Sequence, residues 1–269
     1  MSQIEPMLKW AGGKRWLVAS KRSAFPKVDG AHIEPFVGSG AAFFALEPRR
    51  AILSDLNHRL METYLVVKED VGLFERYFRG FAAQHSPEFY YELRKKKFRS
   101  AVKRAAQFVY LNRVCFNGIY RENLKGEFNV PIGSKTSALL ETDNFPAVSE
   151  LLSGAQLMTG DFEAAVDLAG RNDFLYIDPP YTTKHNLNGF IKYNQKIFSW
   201  DDQVRLAEAL LRASGRGVKI LVSNADHVDV RSLYEDAFYL SSVPRNNVIA
   251  AQSSFRGRTS ELLAANFVV

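Results

Sequence analysis

Two rhythms of apolar and polar positions run along this chain. At both ends, short apolar runs bounded by turn residues read as strands: Ala31-His32-Ile33-Glu34, Ala51-Ile52-Leu53-Ser54, Gln156-Leu157-Met158, Phe174-Leu175-Tyr176-Ile177 and Val218 to Val222. Helical patterns follow them, with a start at Ala41 to Leu46 and an amphipathic stretch from Trp200 to Ala213. Ser199 and Asp202 stand at the spacing of a capping pair before that stretch. From about Asn57 to Asn144 the strand rhythm disappears. Helices are expected over Leu60 to Phe81 and Pro87 to Leu111, then a polar segment from Asn112 to Lys135 with Asn-Gly and Lys-Gly turn signals. Phe238 to Val243 and Glu261 to Val269 read as a hairpin with a long basic connection through Arg256 and Arg258. The economical reading is one α/β domain, residues 1–56 and 145–269, interrupted by a helical insertion, residues 57–144.

Asp178-Pro179-Pro180-Tyr181 ends the Phe174 to Ile177 run, so it stands at a strand's carboxyl end, where open α/β sheets bind ligands. The prolines fix φ and remove two backbone donors. What remains is a rigid acceptor cluster, a carboxylate and carbonyls beside an aromatic face. It suits a planar amino group that must be held and made nucleophilic, such as the exocyclic amine of adenine. Hydrogen bonds from that amine to Asp178 and the Pro179 carbonyl would localise its lone pair. The plain alternative is a Pro-rich turn opened by an Asp cap.

Glu34-Pro35-Phe36-Val37-Gly38-Ser39-Gly40 follows one strand and opens a helix. Glycines there let the backbone approach a ligand closely. A dinucleotide fingerprint needs a small residue three positions after the second glycine, and Phe43 is bulky. Asp55, ending the next strand, can accept from ribose hydroxyls. A cofactor with a ribose and no phosphate, such as S-adenosylmethionine, fits the pair. The alternative is a tight strand–helix turn beside a surface Asp.

Net charge is +6 at pH 7. Ten Lys/Arg lie between Tyr90 and Lys125 (among them Arg94, Lys95, Lys96 and Lys97), against only Glu92 and Glu122. The whole excess is therefore in one segment, which points to a polyanion-binding surface rather than an ordinary solvated face. No stretch approaches the roughly 18 apolar residues of a membrane span. Met1 to Lys14 lacks the apolar core of a secretion signal, so a cytoplasmic location is expected, nucleoid-associated in a bacterium or in a phage-infected cell. Cys115 is the single cysteine, which excludes an internal disulfide framework and any multi-cysteine zinc site. The five histidines have no ligand spacing, so no metal is expected.

Lys9-Trp10-Ala11-Gly12-Gly13-Lys14, the Gly38-Ser39-Gly40 loop, Asp55-Leu56-Asn57 and Asp178-Pro179-Pro180-Tyr181 occur in that order. Together they resemble the Dam-type, D12 class DNA adenine-N6 methyltransferases. Leu111-Asn112-Arg113, Phe116-Asn117-Gly118, Arg121 and Gly126 to Pro131 are similar to that family's recognition segment. The order is that of its alpha group. The resemblance implies a Rossmann-like, S-adenosylmethionine-dependent methyltransferase sheet, with a mostly helical target-recognition domain inserted before the catalytic tetrapeptide. It implies direct methyl transfer to adenine N6 in duplex DNA, on a base extruded from the stack.

The same resemblance assigns roles. Trp10, Lys14, Phe36, Gly38, Gly40, Asp55, Asp161 and Asp178 would serve the cofactor site; for Asp161 a helix N-cap is the alternative. Asp178, Pro179, Pro180 and Tyr181 would hold the target adenine. Lys9, Arg94, Lys95, Lys96, Lys97, Arg113, Phe116, Asn117, Ile119, Arg121 and Pro131 would face DNA, with Arg121 reading a guanine, Phe116 and Ile119 beside the flipped base, and a 5′-GATC site. Tyr120 and Glu122 match no role. Lys184, Lys192 and Lys196 suggest a loop that orders against phosphates. The partner is double-stranded DNA, and a monomer or weak dimer is expected. Rivals are a related methyltransferase acting on RNA or a protein glutamine, and a catalytically silent DNA-binding homologue.

Overall fold

The computed structural model describes residues 4–123, 126–182, 198–246 and 258–268. In chain order its elements begin α1 (Arg15–Ser20), β1 (His32–Glu34), α2 (Ala41–Leu46), β2 (Ala51–Asp55), α3 (His58–Glu69) and α4 (Val71–Ala83). Next come α5 (Pro87–Lys95), α6 (Ala101–Val114), α7 (Phe145–Ser153), β3 (Ala155–Thr159) and α8 (Phe162–Asp167). The last are β4 (Phe174–Ile177), α9 (Trp200–Gly215), β5 (Lys219–Ala225), α10 (Val228–Arg231), β6 (Tyr239–Asn246) and β7 (Arg258–Ala265).

The chain divides into two compact units: Met1–Ser20 with Val37–Gly160, and Lys21–Phe36 with Asp161–Val269. In the first, β2 and β3 pair in parallel, from Ala51 opposite Ala155 to Asp55 opposite Thr159. In the second, the strand order is β1-β4-β5-β7-β6, parallel through β5 and then antiparallel. All four residues of β4 are buried, as a parallel strand covered on both faces requires. Parallel strands alternating with helices, closed by the antiparallel hairpin, make the α/β, Rossmann-like fold expected.

The helical stretches differ from expectation in a consistent way. Leu60 to Phe81 is two helices, because Asp70 leaves helical geometry (φ −144°) and its carboxylate accepts from Leu73 N at 3.2 Å. Pro87 to Leu111 is also two, the second capped by Ser100. Apolar periodicity continues across the first break (Tyr64, Val67, Val71, Phe74), where the capping side chain starts a new hydrogen-bond ladder; at the second, Arg94 to Lys97 interrupt it. The expected capping pair before α9 is present: Asp202 N donates to Ser199 Oγ at 3.1 Å and Ser199 N to Asp202 Oδ2 at 2.9 Å.

In the first unit's core, Phe145 meets Phe74 and Phe78 edge-on at 5.2 and 5.3 Å. The Arg113 guanidinium lies over Phe78 and Phe145, at 5.1 and 5.5 Å. Among the described residues, no helix is long and apolar enough to cross a membrane.

Candidate active site and DNA-facing segment

In the first unit the glycine loop is fastened to the end of β2. Val37 N donates to Ser54 O at 2.9 Å, Gly38 N to Asp55 Oδ2 at 3.1 Å, and Tyr64 Oη to Gly38 O at 2.9 Å. Asn57 N donates to the other Asp55 oxygen at 2.9 Å. Burial pushes the Asp55 carboxyl above the usual carboxylate range, and the Asn57 and Gly38 amides oppose that shift. Gly38 has φ +48°, and a Cβ there would sit 2.7 Å from Trp10 Cδ1. Gly40 has φ +66°, and a Cβ would meet Phe44 at 2.9 Å. Both positions need glycine for conformation and for space. Lys14 is buried directly after the Trp10 to Gly13 turn. A fixed carboxylate next to two positions without Cβ, under an indole, fits the ribose and methionine parts of S-adenosylmethionine.

In the second unit, Asp178-Pro179-Pro180-Tyr181 leaves β4 as expected and is half-buried apart from the buried Pro179. Its far end is tied down by Thr182, whose buried Oγ1 donates to Phe198 O at 2.7 Å. Phe36 stacks on Phe162 at 5.4 Å and meets Phe198 edge-on at 5.5 Å. Asp161 takes the alternative reading. It caps α8, accepting from Glu163 N at 3.0 Å, and holds Arg205 with both oxygens at 2.9 and 2.7 Å. The Arg205 guanidinium keeps the Asp161 carboxyl below the usual range. Lys184, Lys192, Lys196 and Arg256 lie outside the described residues.

Back in the first unit, the segment after α6 is a compact turn. Phe116–Gly118 forms one 3-10 turn, with Asn117 at φ +55° and Phe116 53% exposed. Phe116 N donates to Pro131 O at 2.9 Å. Asn112 joins this turn to the N-terminal segment. Its Oδ1 accepts from Lys9 N at 2.9 Å, and its Nδ2 donates to Lys9 O at 2.9 Å and Gly118 O at 3.3 Å. Exposed Lys9 and half-buried Ile119 thus flank Phe116 and Asn117. Arg121 is exposed, its Nε donating to Asn129 Oδ1 at 2.8 Å, on a short bridge pairing Glu122 with Phe128. Tyr120, without a role in the sequence reading, stacks on Trp10 at 5.8 Å and bonds to Glu122.

The structure corrects one expectation outright. Arg113 does not face DNA. It is buried, paired through both terminal nitrogens with Asp143 at 2.7 Å, and donates to Met7 O and Ala138 O at 2.9 and 3.0 Å. A guanidinium so enclosed cannot reach a phosphate. Two more members of the basic run have internal partners. Arg104 pairs with Glu62, and Arg94 donates to Val130 O at 2.8 Å over the Tyr91 ring. Lys95, Lys96 and Lys97 stay exposed, Lys97 reaching Glu127 at 3.5 Å. Asn112 and Thr182 were missed as positioning residues. The Leu111-Asn112-Arg113 match was the signal for the first, and a Thr just past the prolines the signal for the second.

The α/β fold, with Asp178-Pro179-Pro180-Tyr181 after β4 and Asp55 ending β2, is that of a methyltransferase using S-adenosylmethionine. The model of the D12 class N6 adenine-specific DNA methyltransferases matches residues 10–248. The chain is 36% identical to the type II methyltransferase M.MjaIII of Methanocaldococcus jannaschii, over 98% of this chain and 100% of that one. It is 34% identical to the type II methyltransferase M1.LlaDCHI of Lactococcus lactis subsp. cremoris, over 98% and 96%. With the DNA adenine methylase of Vibrio cholerae it shares 33% identity, over 98% and 96%. The chain belongs to the D12 class of adenine-specific DNA methyltransferases and transfers a methyl group from S-adenosylmethionine to adenine N6. Among the described residues, no group of three or more His, Cys, Asp or Glu could hold a metal ion.

Proposed function

We propose that this enzyme methylates an adenine flipped out of duplex DNA, within 5′-GATC, and that residues 57–144 form its target-recognition domain. The observation that carries the chemistry is Asp178-Pro179-Pro180-Tyr181 held between β4 and the Thr182 tether. Asp178 and the Pro179 carbonyl accept the two N6 hydrogens, which returns lone-pair density to nitrogen. Tyr181 stacks on the extruded base and offsets part of the few kcal/mol that extrusion costs. Bound S-adenosylmethionine supplies the methyl group on a sulfonium. Asp55 would accept from its ribose, the Gly38 to Gly40 loop would line its methionine part, and Trp10, Lys14 and Phe36 would flank it. N6 would take the methyl group as the S–C bond breaks, leaving a neutral thioether, and the proton that N6 gives up would pass to water.

Exposed Phe116, with Asn117 and Ile119, enters the stack beside the flipped base. Lys9, Pro131 and Lys95 to Lys97 meet the backbone, with Arg94 alongside. Arg121 reads guanine. Asn129 fixes its Nε, and among the described contacts its terminal nitrogens donate to nothing, as a bidentate pair with O6 and N7 needs. The unit that binds is a monomer or weak dimer.

Mapping methylated adenines in DNA from cells expressing the wild type and Arg121→Ala tests the reading. The wild type marks GATC. The variant relaxes selection at one guanine, a discrimination of about 1–3 kcal/mol. Equal loss on cognate and substituted duplexes would reduce Arg121 to a phosphate contact.

A further inference from the structure

Tyr120 and Glu122 flank Arg121, and the family resemblance gives neither a role. In the first unit their side chains meet. Ile119 leads into the segment with extended backbone, and Glu122 stands in a short antiparallel bridge with Phe128. The Tyr120 hydroxyl donates to the Glu122 carboxylate. Residues two apart on an extended segment point the same way, so this pair takes one side and the residue between them the other. Arg121 is that residue. It is exposed, and Asn129 engages it twice: Asn129 N donates to Arg121 O at 3.1 Å, and Arg121 Nε to Asn129 Oδ1 at 2.8 Å.

The Tyr120 ring has partners of its own, Phe108 at 4.9 Å, Phe128 at 5.7 Å and Trp10 at 5.8 Å. A phenylalanine would fill that space equally well. What the tyrosine adds is a hydroxyl among rings, and a polar group taken from water costs free energy unless it is hydrogen-bonded. Glu122 supplies that bond. We propose that Tyr120 is a specificity-determining positioning residue: through its hydroxyl bond to Glu122 it fixes the segment that aims Arg121 at guanine. The role rests on the reading of Arg121 as the guanine reader. A guanidinium making two parallel hydrogen bonds to one base edge tolerates little tilt. Tying together the residues on either side of Arg121 restricts rotation of the backbone between them. The phenol keeps its proton for this bond. Burial first, and then the Glu122 carboxylate, push its pKa well above the usual value, while Arg59 and the Asn57 side chain oppose the shift.

The test is methylation by Tyr120→Phe of a GATC duplex and of duplexes substituted at each guanine, with cofactor affinity read by calorimetry. This variant keeps the ring and its stack on Trp10, so S-adenosylmethionine affinity should equal that of the wild type. The ratio of kcat/KM on cognate over substituted duplex should fall roughly tenfold, the scale of one hydrogen bond to a charged acceptor. Glu122→Ala should give the same fall, and the double variant no more than either, because all three lose one and the same bond. An unchanged ratio in Tyr120→Phe, or additive losses in the double variant, would overturn the proposal. So would an equal loss on every duplex, or weakened cofactor binding, since the hydroxyl would then not act through base selection. Should Tyr120→Phe not fold, Glu122→Ala alone carries the same expectation and the same refutation. Arg121→Ala is the control. A wild-type ratio there would remove Arg121 as the guanine reader, whatever Tyr120 does.

Discussion

At Gly38 one hydrogen atom decides the local geometry. A Cβ would enter the Trp10 ring's space at 2.7 Å, and φ is +48°. Gly38→Ala should therefore lower stability by about 1–3 kcal/mol and weaken S-adenosylmethionine binding, read by thermal melts with and without cofactor. Asp55 sets a pH dependence whose sign follows from its raised pKa. Relative to the unfolded chain, folding favours its neutral form, so its contribution to stability is present at low pH and is lost as pH rises through the raised value. Ribose hydroxyls prefer the ionised acceptor, so cofactor affinity should fall as pH drops through the same range. Asp55→Ala should cost about 1–3 kcal/mol of binding and flatten that profile in calorimetry. An unchanged affinity would remove Asp55 from the cofactor site.

Among the elements, α6 shows how one helix can answer to two environments. Its Ala105, Ala106, Val109 and Tyr110 are core, while Asn112 fastens the DNA-facing turn to Lys9. Arg113 closes the helix onto Asp143 over two phenylalanine rings. Removing one partner of a buried ion pair leaves the other charge unsatisfied, which costs about 3–5 kcal/mol. Arg113→Ala should show that loss in denaturant unfolding, and its folded fraction should keep the wild-type salt dependence of DNA binding. A shallower salt slope would restore Arg113 to the phosphate-contacting set.

For the whole molecule, the ten-to-two basic excess between Tyr90 and Lys125 overstates the surface available to a polyanion. Arg104 and Arg113 are paired with acids and Arg94 is engaged by a carbonyl. The electrostatic footprint rests more heavily on Lys95, Lys96 and Lys97. Replacing all three with Gln should weaken DNA binding for every sequence and flatten its salt dependence, because each phosphate contact releases counterions at a slope of about 0.9. A slope equal to that of the wild type would make this run an ordinary solvated face.

The sequence by itself determined what lies close along the chain. Strand positions, the Ser199–Asp202 cap and the acceptor cluster after β4 depend on residues within a turn or two. So do the motifs that identify the family. Tertiary structure alone decided which charges are internal. Nothing near Arg113 in sequence announces Asp143, thirty residues on, and nothing near Ser223 announces Glu261. The physical reason is common to both. Hydrophobic pattern records which faces are buried, but partnership among polar groups is set by distances the fold creates, and burial makes those partnerships obligatory.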